Sequence, residues 1–264
     1  MIPDIMGIVN VTPDSFSDGG HFLDPETAIA HGLQLLKEGA SILDIGGEST
    51  RPGAEEISTA EEIRRVIPVI TELRKHTDRI SIDSYRPATL EAALSAGATM
   101  INDITALTDP DNLSIAAAAQ VPVCLMHMQG TPKTMQASPA YHDVVADIFE
   151  YLRNRIEVCL TAGIKQNNII VDVGIGFGKT LEHNITLLKN LERFHDLNVK
   201  LLLGVSRKSF IGKICPEAGT DQRLPGSLAG ALRGYEAGAQ IVRVHDVAAT
   251  RQAFAVWDKI RPAS

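Results

Sequence analysis

The sequence lacks most of the marks of a secreted, membrane-bound or metal-thiolate protein. Its 264 residues include only three cysteines, Cys124, Cys159 and Cys215. An odd number without CxxC spacing supports neither a disulfide framework nor a thiolate zinc site, so all three are expected to be core or idle thiols. No uninterrupted apolar stretch reaches about 18 residues, the length read as a membrane span. The opening Met1-Ile2-Pro3-Asp4-Ile5-Met6 carries no basic segment, so no signal peptide or membrane contact is expected and a cytoplasmic location is inferred. Positive charge is not in excess either. Twenty-five Lys and Arg against 32 Asp and Glu give a net charge of −7, which excludes a general nucleic-acid surface.

Familiar metal and phosphate motifs are missing as well. No pair among the eight histidines has HExxH or another zinc spacing, and His21, His31, His76, His142, His183 and His195 read as surface or satisfied residues. Gly174-Ile175-Gly176-Phe177-Gly178-Lys179-Thr180 ends like a phosphate-binding P-loop, but Val173 stands where its first glycine is required. The same segment fails the dinucleotide GxGxxG pattern because its sixth position is Lys179. These glycines read instead as places where the backbone approaches a ligand beside Asp172. Low-complexity linkers and shifts of composition are absent too, so residues 1–264 are read as one domain.

What is present is a long alternation. Short runs rich in Ile, Val and Leu recur at Ile5–Val9, Ser41–Ile45, Arg79–Asp83, Thr99–Asp103, Val121–Met126, Asn168–Val173, Lys200–Leu203 and Gln240–Val244. Each is followed by a helical pattern, at about 25–38, 58–76, 87–96, 110–119, 141–162, 181–193, 221–237 and 247–260. Nearly continuous apolar strands suit a parallel sheet covered by helices. Eight such units predict an α/β fold of the closed (β/α)₈ TIM-barrel type, with an open doubly wound sheet as the alternative. Helix starts are signalled by Asp24-Pro25, Asp109-Pro110 and a Ser58-Thr59-Ala60-Glu61 capping box, and helix stops by Gly39, Gly97, Gly163 and Gly238. The longest aperiodic connections, 10–24 and 46–57, follow the first two strands and are expected to be functional.

In such a barrel the active site lies at the C-terminal ends of the strands. Those ends are unusually polar here. They carry Asn10, Glu48-Ser49-Thr50-Arg51, Asp83, Asn102-Asp103, His127, Asp172, Ser206-Arg207-Lys208 and Arg243-Val244-His245. Taken singly, an Asp or Asn after a strand is most simply a turn former or helix cap. Taken together, Asp83, Asn102 and Asp172 lie within apolar runs and are expected to point into the barrel. Two carboxylates and an amide suit the edge of a heterocycle bearing an amino group and ring N–H groups. Arg51, Lys208, Arg243 and His245 gather positive charge in an acidic protein, which points to phosphate or carboxylate on the ligand, or else to ion pairs with neighbouring acids.

As strings, two segments closely resemble the signature loops of the dihydropteroate synthases, a family of pterin-binding TIM barrels: Gly7-Ile8-Val9-Asn10-Val11-Thr12-Pro13-Asp14-Ser15-Phe16-Ser17-Asp18-Gly19-Gly20 and Asp44-Ile45-Gly46-Gly47-Glu48-Ser49-Thr50-Arg51-Pro52-Gly53. The resemblance continues through Ile82-Asp83-Ser84, Ile101-Asn102-Asp103, Leu125-Met126-His127-Met128, Gly174–Lys179, Ser206–Gly212 and Arg243-Val244-His245-Asp246, and spans residues 4–260. It implies a magnesium-dependent transferase joining (7,8-dihydropterin-6-yl)methyl diphosphate to 4-aminobenzoate. Carried over by position, Asp83, Asn102, Asp172, Lys208 and Arg243 would bind the pterin, and Asn10 would be the Mg2+ ligand. Thr50, Arg51, Arg243 and His245 would surround the diphosphate. Phe16, Pro52, Lys208 and Ser209 would border the 4-aminobenzoate pocket, where sulfonamides mimic the substrate. Lys208, Arg51, Asp83 and Asp172 would carry catalysis, and a homodimer is implied. One departure is Val173, where many members of the family carry proline.

Two other readings compete with this one. A pterin-dependent methyltransferase barrel would hold a similar ring with a similar Asp/Asn/Asp set, but it has no use for the 10–20 loop, Thr50–Gly53, Lys208 or the Arg243/His245 pair. A binding-only paralogue would keep the pocket without turnover, and the intact loop residues disfavour it.

Overall fold

The β-strands are short, four to seven residues, and buried along almost their whole length, so each must be covered on both faces. The chain meets that need by alternating strand and helix. In the computed structural model, which describes residues 2–12, 25–49 and 56–261, the elements run β1 (Asp4–Asn10), α1 (Pro25–Glu38), β2 (Ile42–Gly46), α2 (Thr59–Leu73), β3 (Ile80–Asp83), α3 (Pro87–Ala96), β4 (Met100–Asp103), α4 (Pro110–Ala119), β5 (Val123–Met126), α5 (Val144–Thr161), β6 (Ile169–Asp172), α6 (Leu181–Lys189), β7 (Lys200–Gly204), α7 (Ser209–Ile214), α8 (Leu224–Glu236), β8 (Ile241–Val244) and α9 (Val247–Ile260). All strands are parallel and pair in chain order, and β8 returns to β1 to close the barrel. The expected (β/α)₈ architecture is therefore the observed one, and the open sheet is excluded by the β1–β8 pairing.

Local chemistry explains most boundaries. Asp143 caps α5 by accepting from the Val145 and Ala146 N–H groups, which starts the helix at Val144 instead of 141. Asp109 caps α4 in the same way, whereas Asp24 lies outside the described residues. At α2 only half of the expected capping box forms. Ser58 Oγ accepts from Glu61 N at 3.2 Å, but the Glu61 carboxylate goes to Arg64 and Arg65 instead of returning to the cap. The expected helix over 181–193 ends at Lys189 and continues as a 3₁₀ segment over Leu191–Leu197. A six-residue helix, α7, was not expected at all, and α8 starts at Leu224, where Pro225 occupies the first turn. Six residues are too few for a 3.6-residue period to show.

Alternation of period two then sorts the strands. One face of each strand joins the large cluster packed under the helices, and the other faces the barrel axis. Met6, Ile42, Met100, Cys124, Ile170, Leu202 and Ile241 form a separate apolar cluster inside the barrel. Two residues further along, on the same inward face, stand Asp44, Asn102, Asp172, Gly204 and Arg243. An apolar plug therefore supports a polar floor at the C-terminal ends of the strands. No helix of the described residues is long and apolar enough to cross a membrane.

Candidate active site

At the centre of the floor, Arg243 on β8 reaches across to two carboxylates. Its Nε donates to Asp44 Oδ2 at 2.5 Å and its Nη2 to Asp83 Oδ2 at 2.6 Å. Asn102 Nδ2 donates to the same Asp44 oxygen at 3.2 Å. Asp44 is fully buried and its Oδ1 has no partner among the described residues, as is also true of Ser81 Oγ on the neighbouring strand. Burial pushes the Asp83 carboxyl up to about 7, with Arg243 opposing the shift and Asp44 adding to it. Asp83 and Asn102, both assigned to a ring edge, thus meet at Asp44 and Arg243, and Arg243, assigned to an anion, sits among the acids as an ion-pair partner.

Asp172 ends β6 on the other side of the floor, nearly buried. Its Oδ1 accepts from Gly174 N at 2.8 Å, and burial raises its pKa while Lys208, that N–H group, Lys179 and Arg243 pull it down. Gly174 explains why the turn needs no side chain. Its φ is +68°, and a Cβ there would lie 1.9 Å from the His127 carbonyl oxygen. Val173, the departure from proline, is fully buried in the core. Lys208 follows β7, donates to the Ile175 carbonyl, and holds its ammonium 4.9 Å from the centre of the Phe177 ring. Burial lowers its pKa to about 8, against the pull of Asp172. Gly204, also on the floor, leaves a gap: a Cβ there would be 3.7 Å from Lys208 Nζ, 3.8 Å from Asp172 Oδ2 and 3.9 Å from Arg243 Cβ. A flat ring lying over Gly204 would meet all three groups.

The remaining assigned residues fall around this floor. Asn10 is the last residue of β1 and pairs in register with Gly46. Ser209 opens α7 directly after Lys208. His245 follows β8, with its N–H and Nδ1 at 3.2 and 3.0 Å from Ser206 Oγ. Phe16, Thr50, Arg51 and Pro52 lie outside the described residues.

Several polar strand ends do not serve the mouth. Asp103 turns outward, accepting from Thr105 N and Oγ1, both at 2.6 Å, and from Asn112 Nδ2 at 3.1 Å. Glu48 accepts from Tyr85 OH, Arg86 and Ile57 N. His127 is held by Lys179, whose Nζ lies 3.0 Å from His127 Nδ1, 3.3 Å from its carbonyl and 2.8 Å from the Phe177 carbonyl. Lys179 is 1% exposed, and burial lowers its pKa to about 7. A cavity of about 620 Å³ beside the mouth, walled by Glu48, Tyr85, Thr105, Lys133 and Tyr151 among others, includes none of the floor acids.

Sequence reasoning missed two of these roles. Asp44 was overlooked although it stands two residues after inward-facing Ile42, a position that the period of the strand exposes. Lys179 stands in a segment whose glycines carry the pattern, and nothing in the sequence pairs it with His127, 52 residues away. Among the described residues no group of three or more His, Cys, Asp or Glu is arranged to hold a metal ion.

The geometry agrees with known proteins. A family model described as pterin binding enzyme matches residues 6–245. A Haemophilus influenzae dihydropteroate synthase is 49% identical over 257 residues, covering 97% of this chain and 93% of the relative. The solved structure of the Xanthomonas albilineans dihydropteroate synthase with 4-aminobenzoic acid superposes with a TM-score of 0.93 at 48% identity, covering 99% of this chain and 94% of that one. A Yersinia pestis dihydropteroate synthase in a sulfonamide drug complex gives a TM-score of 0.93 at 46% identity, with 99% and 95% covered.

Proposed function

Because the chain belongs to the pterin-binding enzyme family, and within it to the dihydropteroate synthases, we propose that it displaces diphosphate from (7,8-dihydropterin-6-yl)methyl diphosphate with 4-aminobenzoate, by a dissociative, SN1-like route assisted by Mg2+. The observation that carries this reading is the convergence of Asp44, Asp83, Asn102, Asp172, Lys208 and Arg243 on one barrel mouth.

The chemistry follows from charge. The C–O bond to the diphosphate breaks first, leaving a methylene cation conjugated to the dihydropterin. The aromatic amine then forms the C–N bond and loses a proton. Asp83 and Asp172 stabilise the cationic ring, and Asn102 fixes its edge through an amide that both donates and accepts. Lys208 spans ring and rim, and Arg243, Arg51, Thr50 and His245 receive the departing anion. The amine is neutral and already nucleophilic, so no strong general base is needed. Phe16, Pro52 and Ser209 border its pocket, which the sulfonamide complex of the Yersinia pestis relative makes a reasonable drug site.

Asn10 fits the role of a magnesium ligand in one respect. It offers a single neutral oxygen at the end of β1, and magnesium commonly takes one or two protein ligands and fills its shell with phosphate oxygens and water. Bound there, the ion would neutralise charge on the leaving diphosphate. The same reading makes the enzyme a one-domain cytoplasmic protein that acts as a homodimer, and light scattering of the purified chain checks the dimer.

The test is pyrophosphate release. Both substrates with magnesium should give turnover, omission of either substrate or addition of a chelator should abolish it, and a sulfonamide should compete with 4-aminobenzoate. Release no greater than that of a Lys208→Ala control rejects the reading.

A further inference from the structure

Two residues beside the mouth adopt locally unfavourable arrangements, and both arrangements serve one contact. Arg207 has φ +56°, in the left-handed region that residues with a Cβ enter reluctantly. Asp246 stands at the N-cap of α9, where an aspartate normally bonds the first helical N–H groups, yet its side chain makes no such bond. Both carboxylate oxygens go to Arg207 instead, with Nε to Oδ2 at 3.0 Å and Nη2 to Oδ1 at 2.5 Å. The backbone around the left-handed residue is held as well. Arg207 N–H donates to Ser227 Oγ at 2.8 Å, and its carbonyl accepts from Arg223 at 3.2 Å.

This fork joins the loop after β7 to the loop after β8. Lys208 is the neighbour of Arg207 on one loop, and His245 is the neighbour of Asp246 on the other. We infer that Arg207 and Asp246 are a positioning pair, whose two-pronged contact sets the separation between Lys208 and His245. The inference rests on the reading above, in which those residues hold the pterin half and the diphosphate half of one substrate. A planar guanidinium fixes both distance and angle to a carboxylate, which a lysine ammonium does not. Misplacement by about 1 Å costs on the order of 100-fold in rate when reacting groups must be aligned.

The test compares a ligand that spans both groups with one that does not. Arg207→Lys, Asp246→Asn and the exchange Arg207→Asp with Asp246→Arg are assayed in the full chain by pyrophosphate release, and binding of 6-hydroxymethylpterin, which has no diphosphate, is measured by calorimetry. Either single change is expected to raise KM for the pterin diphosphate by roughly tenfold or more while weakening the diphosphate-free pterin by less than about threefold. The exchange should recover much of the loss. Equal weakening of both ligands, no weakening of either, or an exchange no better than the single changes overturns the pair. If those variants fail to fold, Arg207→Gly, which relieves the left-handed strain while deleting the fork, must show the same split between ligands. A wild-type chain without turnover defeats the functional reading itself, whereas an active wild type with indifferent variants defeats this pair alone.

Discussion

A carboxyl and an amine in the same mouth are both moved toward neutrality, and they are expected to bound the pH range of turnover. Asp83 is lifted by burial to about 7, and Lys208 is lowered by burial to about 8. Only ionised Asp83 accepts from two N–H donors, and only protonated Lys208 carries charge. The profile of kcat/KM for the pterin diphosphate is therefore expected to rise through about 7 and fall through about 8. Lys208→Arg should remove the falling limb, because arginine does not lose its proton, and a limb that survives belongs to another group. Stability runs the other way. The Asp83 pKa is higher folded than its usual 3.8, so its contribution favours the native state at low pH and is lost as the pH climbs toward about 7.

Single residues also show what the sequence could reveal. Asp83, Asn102 and Asp172 were legible because a polar residue inside an apolar strand has to face something other than the core. Asp44 obeys the same rule in Ile42-Leu43-Asp44-Ile45, but it precedes the strand's end by two residues, where a polar residue does not stand out as a member of the mouth. The ion pair from Arg243 to Asp44 and Asp83 joins residues 199 and 160 positions apart, a contact that no local pattern encodes.

Among the elements, the turn after β6 is held at four successive carbonyls. Lys208, Gln136, Lys179 and Tyr141 donate to the carbonyls of Ile175, Gly176, Phe177 and Gly178 in succession. Gly174→Ala would force a Cβ against the His127 carbonyl at positive φ, so a loss of at least about 2 kcal/mol in urea denaturation is expected, together with weaker pterin binding through Asp172. Gly163→Ala is the control. It also has positive φ, +93°, but nothing lies within 4 Å, so it should cost about 1 kcal/mol and leave turnover unchanged. Glycine stops and aspartate caps made these boundaries readable. The short α7 was not readable because its sequence has too few turns to repeat.

At the scale of the molecule the barrel separates stability from chemistry by its two ends. Arg79 and Asp4 pair at the N-terminal ends of β3 and β1, with side chains 47% and 40% exposed. Arg79→Ala is expected to cost less than about 1 kcal/mol and to leave kcat and both KM values within experimental error. A change in either KM would contradict this division. The alternation of strand and helix made the closed architecture legible, since eight repeats in chain order leave few other ways to cover both faces of each strand.

The plug of Met6, Ile42, Met100, Cys124, Ile170, Leu202 and Ile241 closes the barrel from below. A well sealed at its base has one door. On the reading proposed above, a ring resting on Asp83, Asn102 and Asp172 would have to go in first, and an amine nearer the rim, by Lys208 and Ser209, would have to queue behind it. Traffic would then be sequential, and a sulfonamide arriving at an empty well would find no ring to stand on.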